Sequence, residues 1–454
     1  MWVKILQKET LHTKYCKGFK MLKQKNILFS TLFIFILTQG FLMSATIKHI
    51  QTNNLDIPVV FEENSTLPTF NLQLVFKNAG YIQDNDKSGL ANLSAKLLNE
   101  GTKALGSVKF AQKLENQAIS LHASNGFETF VIELSSLKSE YKTALKLLEE
   151  LLKDPNYSKQ SIEKIKTTLI GGLKRKENDF DYVARNNLNR LLFQGTPLEN
   201  PSSGTIESLA NIELKDVKKF IEKNLILENL IVVAGGDITF EELTKNIPSV
   251  LKILPNGKKK SLTTIQANAN AQVKEEIKET QQAYIYFGSP FYMDAQDENT
   301  YIAKVASFIL GGSGFGSRLM EEIRVKRGLA YSAYGSVAIN KSHSSFTGYL
   351  QTKLESAQEA QELVQSLIAQ FVKTGVTQKE LESAKKFLMG SEPLRTETLS
   401  QRLNRAFTYY YRGLEPNFAQ LELEKIEKLE LDELNAFIKS HDEITHLSFS
   451  IVRK

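Results

Sequence analysis

Arg324 and Tyr331, in the stretch SRLMEEIRVKRGLAYSAYGSV, have the types and spacing to act on one carbonyl group. Arg is a permanent cation with a fork of N–H donors, and Tyr offers a neutral O–H. Together they suit an oxygen that gains negative charge when a peptide bond is attacked. Apolar spacing from Arg318 to Lys326 predicts a helix, and Gly328 stands where a left-handed residue would close it. Tyr331 then opens an alternating strand, so the pair flanks one tight helix-to-strand turn. A surface Arg beside a packed Tyr is the plainer reading, and spacing does not choose between them.

Other chemistry-bearing groups point elsewhere. His441 and His446 are five apart and run from a helix end into a strand, whereas a helical zinc motif needs a spacing of four. They read as a solvated helix terminus. The loop Gly311-Gly312-Ser313-Gly314-Phe315-Gly316-Ser317 has no Gly-Lys-Ser/Thr end for a phosphate loop. Ser317 stands where a dinucleotide fingerprint needs its third Gly, and position 315 lacks the Gly of a nucleophile elbow. It reads as a turn between helices. Cys16 is the only cysteine, so a chain beginning after residue 45 has no thiol nucleophile, disulfide or thiolate ligand.

The elements that must position these residues come in two similar sets. A strand-like NLQLVFKNAG (71–80) precedes a helix-like SGLANLSAKLLNEGT (88–102), and QAYIYFGSPF (282–291) precedes TYIAKVASFILGG (300–312). Phe76 and Phe287 are offset by 211 and Leu97 and Ile309 by 212, which suggests a duplicated unit. Between the sets lies Pro255-Asn256-Gly257-Lys258-Lys259-Lys260, then a polar run to about Gln272. Two similar domains over 46–255 and 276–454, with a solvated linker at 256–275, are expected. Further strands are predicted around 127–134, 230–234, 333–339, 345–351 and 446–452. Helices are predicted at 139–152, 161–174, 182–193, 214–223 and 357–373. Strands arrive in pairs, so the expected class is α+β, each domain a mostly antiparallel sheet packed with helices.

The formal charge of +6 resides in the first 45 residues, which hold seven Lys and one Glu. The other 409 residues hold 57 − 7 = 50 basic and 51 − 1 = 50 acidic side chains, which argues against nucleic acid as a partner. Lys23 and Lys25 precede the apolar stretch Ile27 to Met43, then Ser44 and Ala45, in the form of a secretory signal. Met21 stands where such a signal would start, so residues 1–20 read as an upstream extension. Thr38-Gln39-Gly40 interrupts the apolar run and no basic cluster follows, which favours a cleaved signal over a membrane anchor at 27–43. An exported, periplasmic protein is expected.

The Arg324/Tyr331 segment and the glycine loop before it resemble the second-half signature of the insulinase/pitrilysin family of zinc peptidases. That signature runs Gly-Gly, then Ser-Arg-Leu, then an Arg and a Tyr seven apart around a Gly-Leu turn. GLANLSAKLLNEGT (89–102) resembles the family's catalytic helix, and QGTPLENPSSGTIESLANIELKDVKKFIEKN (194–224) its connector. Active members carry His-x-x-Glu-His on that helix and a further Glu on a later one. The histidines and distal Glu hold zinc, and the first Glu is the general base. In register with Gly89 and Gly101-Thr102, this chain has Asn92 and Lys96 at the histidine positions, Ala95 at the base and Gly172 at the distal Glu. The resemblance therefore implies no zinc in this chain.

It also implies a partner. The chain is similar to the subunit of processing-peptidase-like enzymes that lacks the metal helix, its homologous partner bringing His-x-x-Glu-His and zinc. Arg324 would then hold a substrate carbonyl or position Tyr331, and Tyr331 would donate to the oxyanion. The substrate would be a peptide or unfolded protein, extended along a sheet edge, for which the strand at 122–127 is a candidate. The alternative is an inert scaffold or peptide-binding protein of the same fold, like respiratory-complex core proteins. A hydrolase with relocated ligands at His122 or His441 has no support in the spacing.

Overall fold

The computed structural model describes residues 45–454. Its strands form two sheets. The first holds β1 (Thr46–Thr52), β2 (Leu55–Glu63), β3 (Thr69–Lys77), β4 (Ser120–Asn125), β5 (Thr129–Leu137) and β6 (Leu230–Gly236), in the order β1-β2-β6-β3-β5-β4. The second holds β7 (Val273–Ile277), β8 (Gln282–Pro290), β9 (Ala330–Ile339), β10 (Ser344–Lys353) and β11 (Ser448–Arg453), in the order β7-β11-β8-β10-β9. Among the described residues only β2/β6 and β7/β11 are parallel. Without β1, the two orders match strand for strand, with β4 and β9 as equivalent edges. The class is α+β, as the paired strands predicted.

Alternation explains which face each strand buries. Phe70, Leu72, Leu74 and Phe76 of β3 are buried among helices, while Asn71 and Gln73 point to the opposite face. Phe287 of β8 takes the place of Phe76 in the second core, against Phe346 and Phe449. Helix α1 (Leu90–Leu98) follows β3, and α2 (Lys159–Lys176) packs on α1. In the second half, α4 (Thr300–Ser307) occupies the place of α1.

The opposite face of each sheet is covered by a helix from the other half. Helix α3 (Phe180–Phe193) lies on β8 and β11, and α5 (Leu399–Arg412) lies on β2 and β6. Leu403 of α5 packs with Val60, Ile231 and Val233. Arg402 closes the contact, its Nη2 2.6 Å and its Nε 2.9 Å from Oε1 of the buried Glu62. On the other sheet, Asn187 Nδ2 donates to Glu276 Oε2 at 2.7 Å, and Phe180 meets Tyr284 edge-on.

The segment between the sheets departs from a solvated linker. It forms neither helix nor strand from 256 to 272, yet Ile265 and Ala267 are buried with Leu188, Leu192 and Leu198. Ile265 N donates to Ser342 O at 2.6 Å, and Asn268 N to Leu192 O at 2.7 Å. Two apolar side chains in a polar run thus strap it down. No helix among the described residues is long and apolar enough to cross a membrane. The signal-like stretch, Met21 and Cys16 lie outside the described residues.

Candidate functional site

The glycine loop sets the geometry around Arg324. After α4 the chain widens into a π-helical turn, Phe308–Gly312, that rests on β9. A Cβ on Gly311 would stand 2.5 Å from Gly335 N and 2.6 Å from Gly335 O, so only glycine permits this approach. Buried Ser317 then starts the next helix, its Oγ donating to Gly314 O at 2.7 Å and its carbonyl accepting from Glu321 N. Arg318 is tied bidentately to Glu380, Nε to Oε1 at 2.6 Å and Nη2 to Oε2 at 2.9 Å. Burial raises the Glu380 carboxyl, but bonds from Arg318 and Thr377 outweigh it and hold it down at about 2.

The helix carrying Arg324 is π-wound over Met320–Val325. It closes at left-handed Gly328, whose N–H donates to Arg324 O at 3.0 Å, while Leu329 N donates to Ile323 O. The strand that follows is not a plain alternation. Ala333 pairs with Leu350 and Ala330 with Thr352, so β9 has one extra residue against β10. Both alanines face the core, and this bulge turns Tyr331 outward, leaving it 81% exposed.

Arg324 therefore meets Tyr331, with its Cζ 4.5 Å from that ring's centroid and 4.6 Å from that of Phe315. The guanidinium lies between two exposed aromatic rings, a cation–π arrangement. Among the described residues it has no ion pair and no side-chain hydrogen bond, in contrast to Arg318. Its forked donors are oriented by the rings and not consumed. Beside them stands the Tyr331 hydroxyl, a second donor. Phe315 was missed by the sequence reading. Its signal is a large apolar residue between Gly314 and Gly316, both with positive φ, at the apex of a loop.

In the first half, α1 starts at left-handed Gly89, where the Asp84 carboxylate accepts from Gly89 N and Ala91 N, each at 2.8 Å. Burial pushes the Asp84 carboxyl up to about 7 despite those bonds. Asn92 Nδ2 donates to Asn125 Oδ1 at 3.2 Å, Ala95 is buried and Lys96 is exposed. Gly172 lies on α2, where a Cβ would have the Arg175 Nη2 as its neighbour at 3.9 Å. An amide, a methyl, an ammonium and bare backbone beside a guanidinium do not fit a zinc ion, which needs imidazole, thiolate or carboxylate ligands. Among the described residues no group of three or more His, Cys, Asp or Glu is placed to hold a metal.

His441, His446 and His122 lie apart from the Arg324–Tyr331 turn. His441, just past the helix Leu431–Ser440, binds Glu443 Oε1 through Nδ1 at 2.8 Å and packs on Phe291 and Phe437. His446 lies just before β11. His122 is on β4, facing Glu133 across the strand pair.

Among the described residues strand β4 is an edge, paired only with β5. At its middle, Ala123 N donates to Asn99 Oδ1 at 2.7 Å, and Asn99 Nδ2 donates to Ala123 O at 2.9 Å. Adding 212 to 99 and 123 gives 311 and 335, the two glycines that meet at β9.

Residues 58–206 match the family described as insulinase (peptidase family M16), and 211–388 match the peptidase M16 inactive domain. The chain is 44% identical over 411 residues to the non-peptidase homolog YmxG of Helicobacter pylori, across 90% of this chain and 95% of that protein. It is 26% identical over 262 residues to cytochrome b-c1 complex subunit 1 of Saccharomyces cerevisiae, across 56% of this chain and 55% of that one. Among solved structures, the peptidase M16 inactive domain from Pseudomonas fluorescens superposes with a TM-score of 0.82 at 25% identity, covering 90% of this chain and 98% of that chain. With the sheet order, these matches make the chain a member of the peptidase M16, or insulinase, family.

Proposed function

We propose that this chain is the metal-free subunit of an exported, two-subunit M16 peptidase, working beside a homologous chain that carries His-x-x-Glu-His and zinc. Its halves, 46–255 and 276–454, act as the two domains of that subunit. The observation that carries the reading is Arg324, held between Phe315 and Tyr331 with its donors unspent. A guanidinium fork of this kind binds the carbonyl of an extended peptide, and the Tyr331 O–H donates to the oxygen as charge collects there. The hydroxyl keeps its proton, so the role is electrostatic. The chain alone offers no general base at Ala95.

Reconstitution tests this. The purified chain should cleave no peptide and contain no stoichiometric zinc by mass spectrometry, and a His-x-x-Glu-His partner should confer activity. Arg324→Ala and Tyr331→Phe should each lower kcat of the pair by about 10²–10³, the usual loss for an oxyanion donor. Full activity in both variants would leave the chain a role in assembly alone. Amino-terminal sequencing of the protein from the periplasm should find a chain starting near residue 46.

A second reading, an inert scaffold, is favoured by the similarity to cytochrome b-c1 complex subunit 1. Isolation of the native complex separates the two, since a scaffold would be found without any zinc peptidase subunit.

A further inference from the structure

Positive charge gathers at the seam between the halves, drawn from both of them and from the segment between the sheets. Lys77 ends β3, and strand alternation puts it after Val75 on the face that α5 covers. Its cross-strand neighbour is Thr129. Buried Glu128, next to Thr129, accepts from Ser342 N at 2.8 Å and from the Tyr411 O–H at 2.6 Å. Those bonds draw the β9–β10 turn and the end of α5 to this corner, and with them Lys341 and Arg412. Asn78 Nδ2 donates to Lys260 O at 2.7 Å, so Lys259 and Lys260 run past the end of β3. Thr129, Asn340, Lys341, Tyr411 and Arg412 help line a cavity of about 220 Å³ at this place.

The charges there are not balanced from within. Lys77, Lys259, Lys341 and Arg412 stand against Glu128 and Glu228, a surplus of 4 − 2 = +2. Both Glu128 oxygens are already engaged by Ser342 and Tyr411. Among the described residues none of the four cations is in an ion pair, whereas Lys138, Lys304 and Arg453 elsewhere are. Lys341 Nζ donates to Tyr411 O and Arg412 Nη2 to Ile339 O, each at 2.8 Å, which leaves further donors on both. The half-buried Lys77 ammonium is held below the ordinary lysine range, by burial first and then by Lys259 and Lys341, against a pull from Glu228. A lysine kept among other cations loses stability unless an anion joins it, and such clusters mark functional sites.

We propose that this seam cavity binds one small oxyanion of the phosphate kind, bridging Lys77 of the first half to Lys341 and Arg412 of the second. Lysine suits phosphate as a point charge, the Arg412 fork adds direction, and the Thr129 hydroxyl is a further donor. The volume lies below the roughly 300 Å³ at which sites for drug-sized ligands begin, so the occupant is a phosphate ion or a small phosphate monoester. Once bound, it ties the halves together by charge at a place where their own side chains repel. None of the residues assigned to peptide binding above takes part, so the outcome is read separately from the Arg324 reconstitution.

Calorimetric titration of the full chain with inorganic phosphate, against sodium chloride of equal ionic strength, is the test. Phosphate should bind saturably and raise the thermal midpoint above that in chloride. Lys77→Met and Lys341→Met should each weaken binding about tenfold, the loss of one charge-assisted contact. In phosphate-free buffer Lys77→Met should melt higher than the unaltered chain, because a half-buried repelling charge is gone. A lysine held there only for its packing would leave a protein that melts lower. Glycerol 3-phosphate separates the two sources: tighter binding than phosphate identifies a monoester as the ligand, and weaker binding the free ion. No saturable heat from either up to about 10 mM would overturn the proposal. So would unchanged phosphate binding in both lysine variants, since the ion would then sit elsewhere. Should Lys341→Met fail to fold for want of the bond to Tyr411 O, Lys341→Gln, which keeps a donor, carries the same comparison.

Discussion

The helix that ends at Asn99 and the one whose last turn carries Gly311 hold the same place in their halves, and each ends against an edge strand. One meets its strand through a carboxamide and the other through bare backbone. The carboxyl groups nearby differ in the same spirit. Asp84 caps α1 with its affinity for protons raised by burial, while Glu380 secures Arg318 with its affinity lowered by the guanidinium. The two halves therefore share backbone positions and differ in their side chains. In the first half α1 is a packing element, with Leu93, Ala95 and Leu97 buried. The second kept a turn that presents Arg324 and Tyr331. Hydrophobic faces hold a fold in place; site chemistry sits on the faces that packing leaves free.

The comparison breaks hardest at the helices exchanged between halves. Arg402→Met should destabilise the chain by about 3–5 kcal/mol in urea unfolding, because Glu62 is buried and Arg402 is its only partner among the described residues. Replacing both residues with apolar ones of similar size should recover much of that loss. Next comes Gly311→Ala, at about 3 kcal/mol, since the new methyl would press on the Gly335 backbone. Asn99→Ala, at the equivalent position, should cost only about 1–2 kcal/mol for its two hydrogen bonds. Similar losses at the two positions would mean that the edges are closed by the same means.

Much of this arrangement was legible in the residues. The near-constant offset of Phe76/Phe287 and Leu97/Ile309 marked two strand–helix pairs that do occupy equivalent places. Gly328 closes its helix as its position implied. Other features were hidden because they depend on contacts distant in sequence. Helices α3 and α5 carry ordinary amphipathic patterns, which do not say whose sheet they cover. The bulge that aims Tyr331 outward needs the register of β10 as well as β9. Asn99 looks like any polar residue after a helix until Ala123 is beside it, and Ile265 looks isolated until Leu192 is. Spacing placed Arg324 and Tyr331 on one turn, but the Phe315 ring that completes the sandwich required the path of the loop.

The two carboxyl groups should divide the pH dependence of stability between them. Asp84 has a folded pKa of about 7 against an ordinary value of 3.8, so between those limits the folded chain binds a proton the unfolded chain lacks. Stability from this group falls as pH rises through that window, by roughly 2–3 kcal/mol between pH 5 and pH 8. Glu380 acts oppositely and lower down: its contribution is present above its ordinary 4.5 and lost as pH falls toward about 2. Thermal unfolding against pH should show a broad loss from about pH 4 to about pH 7 that Asp84→Asn flattens, and a separate acid loss that Arg318→Met shrinks.

The smallest effect belongs to the helix laid on the second sheet. Asn187 is almost fully buried and donates to Glu276, so it looks as important as Arg402. Its carboxylate partner, though, is also paired with Lys278 at 3.2 Å and is partly open to solvent. Burial raises Glu276, and the bonds from Asn187 and Lys278 bring it below the ordinary carboxylate range, so loss of one donor leaves the other. Asn187→Ala should cost only about 1 kcal/mol in urea unfolding. A loss as large as that of Arg402→Met would mean that both exchanged helices are locked by buried charge, and the asymmetry between the two sheets would vanish. A small loss places the lock on the first sheet alone.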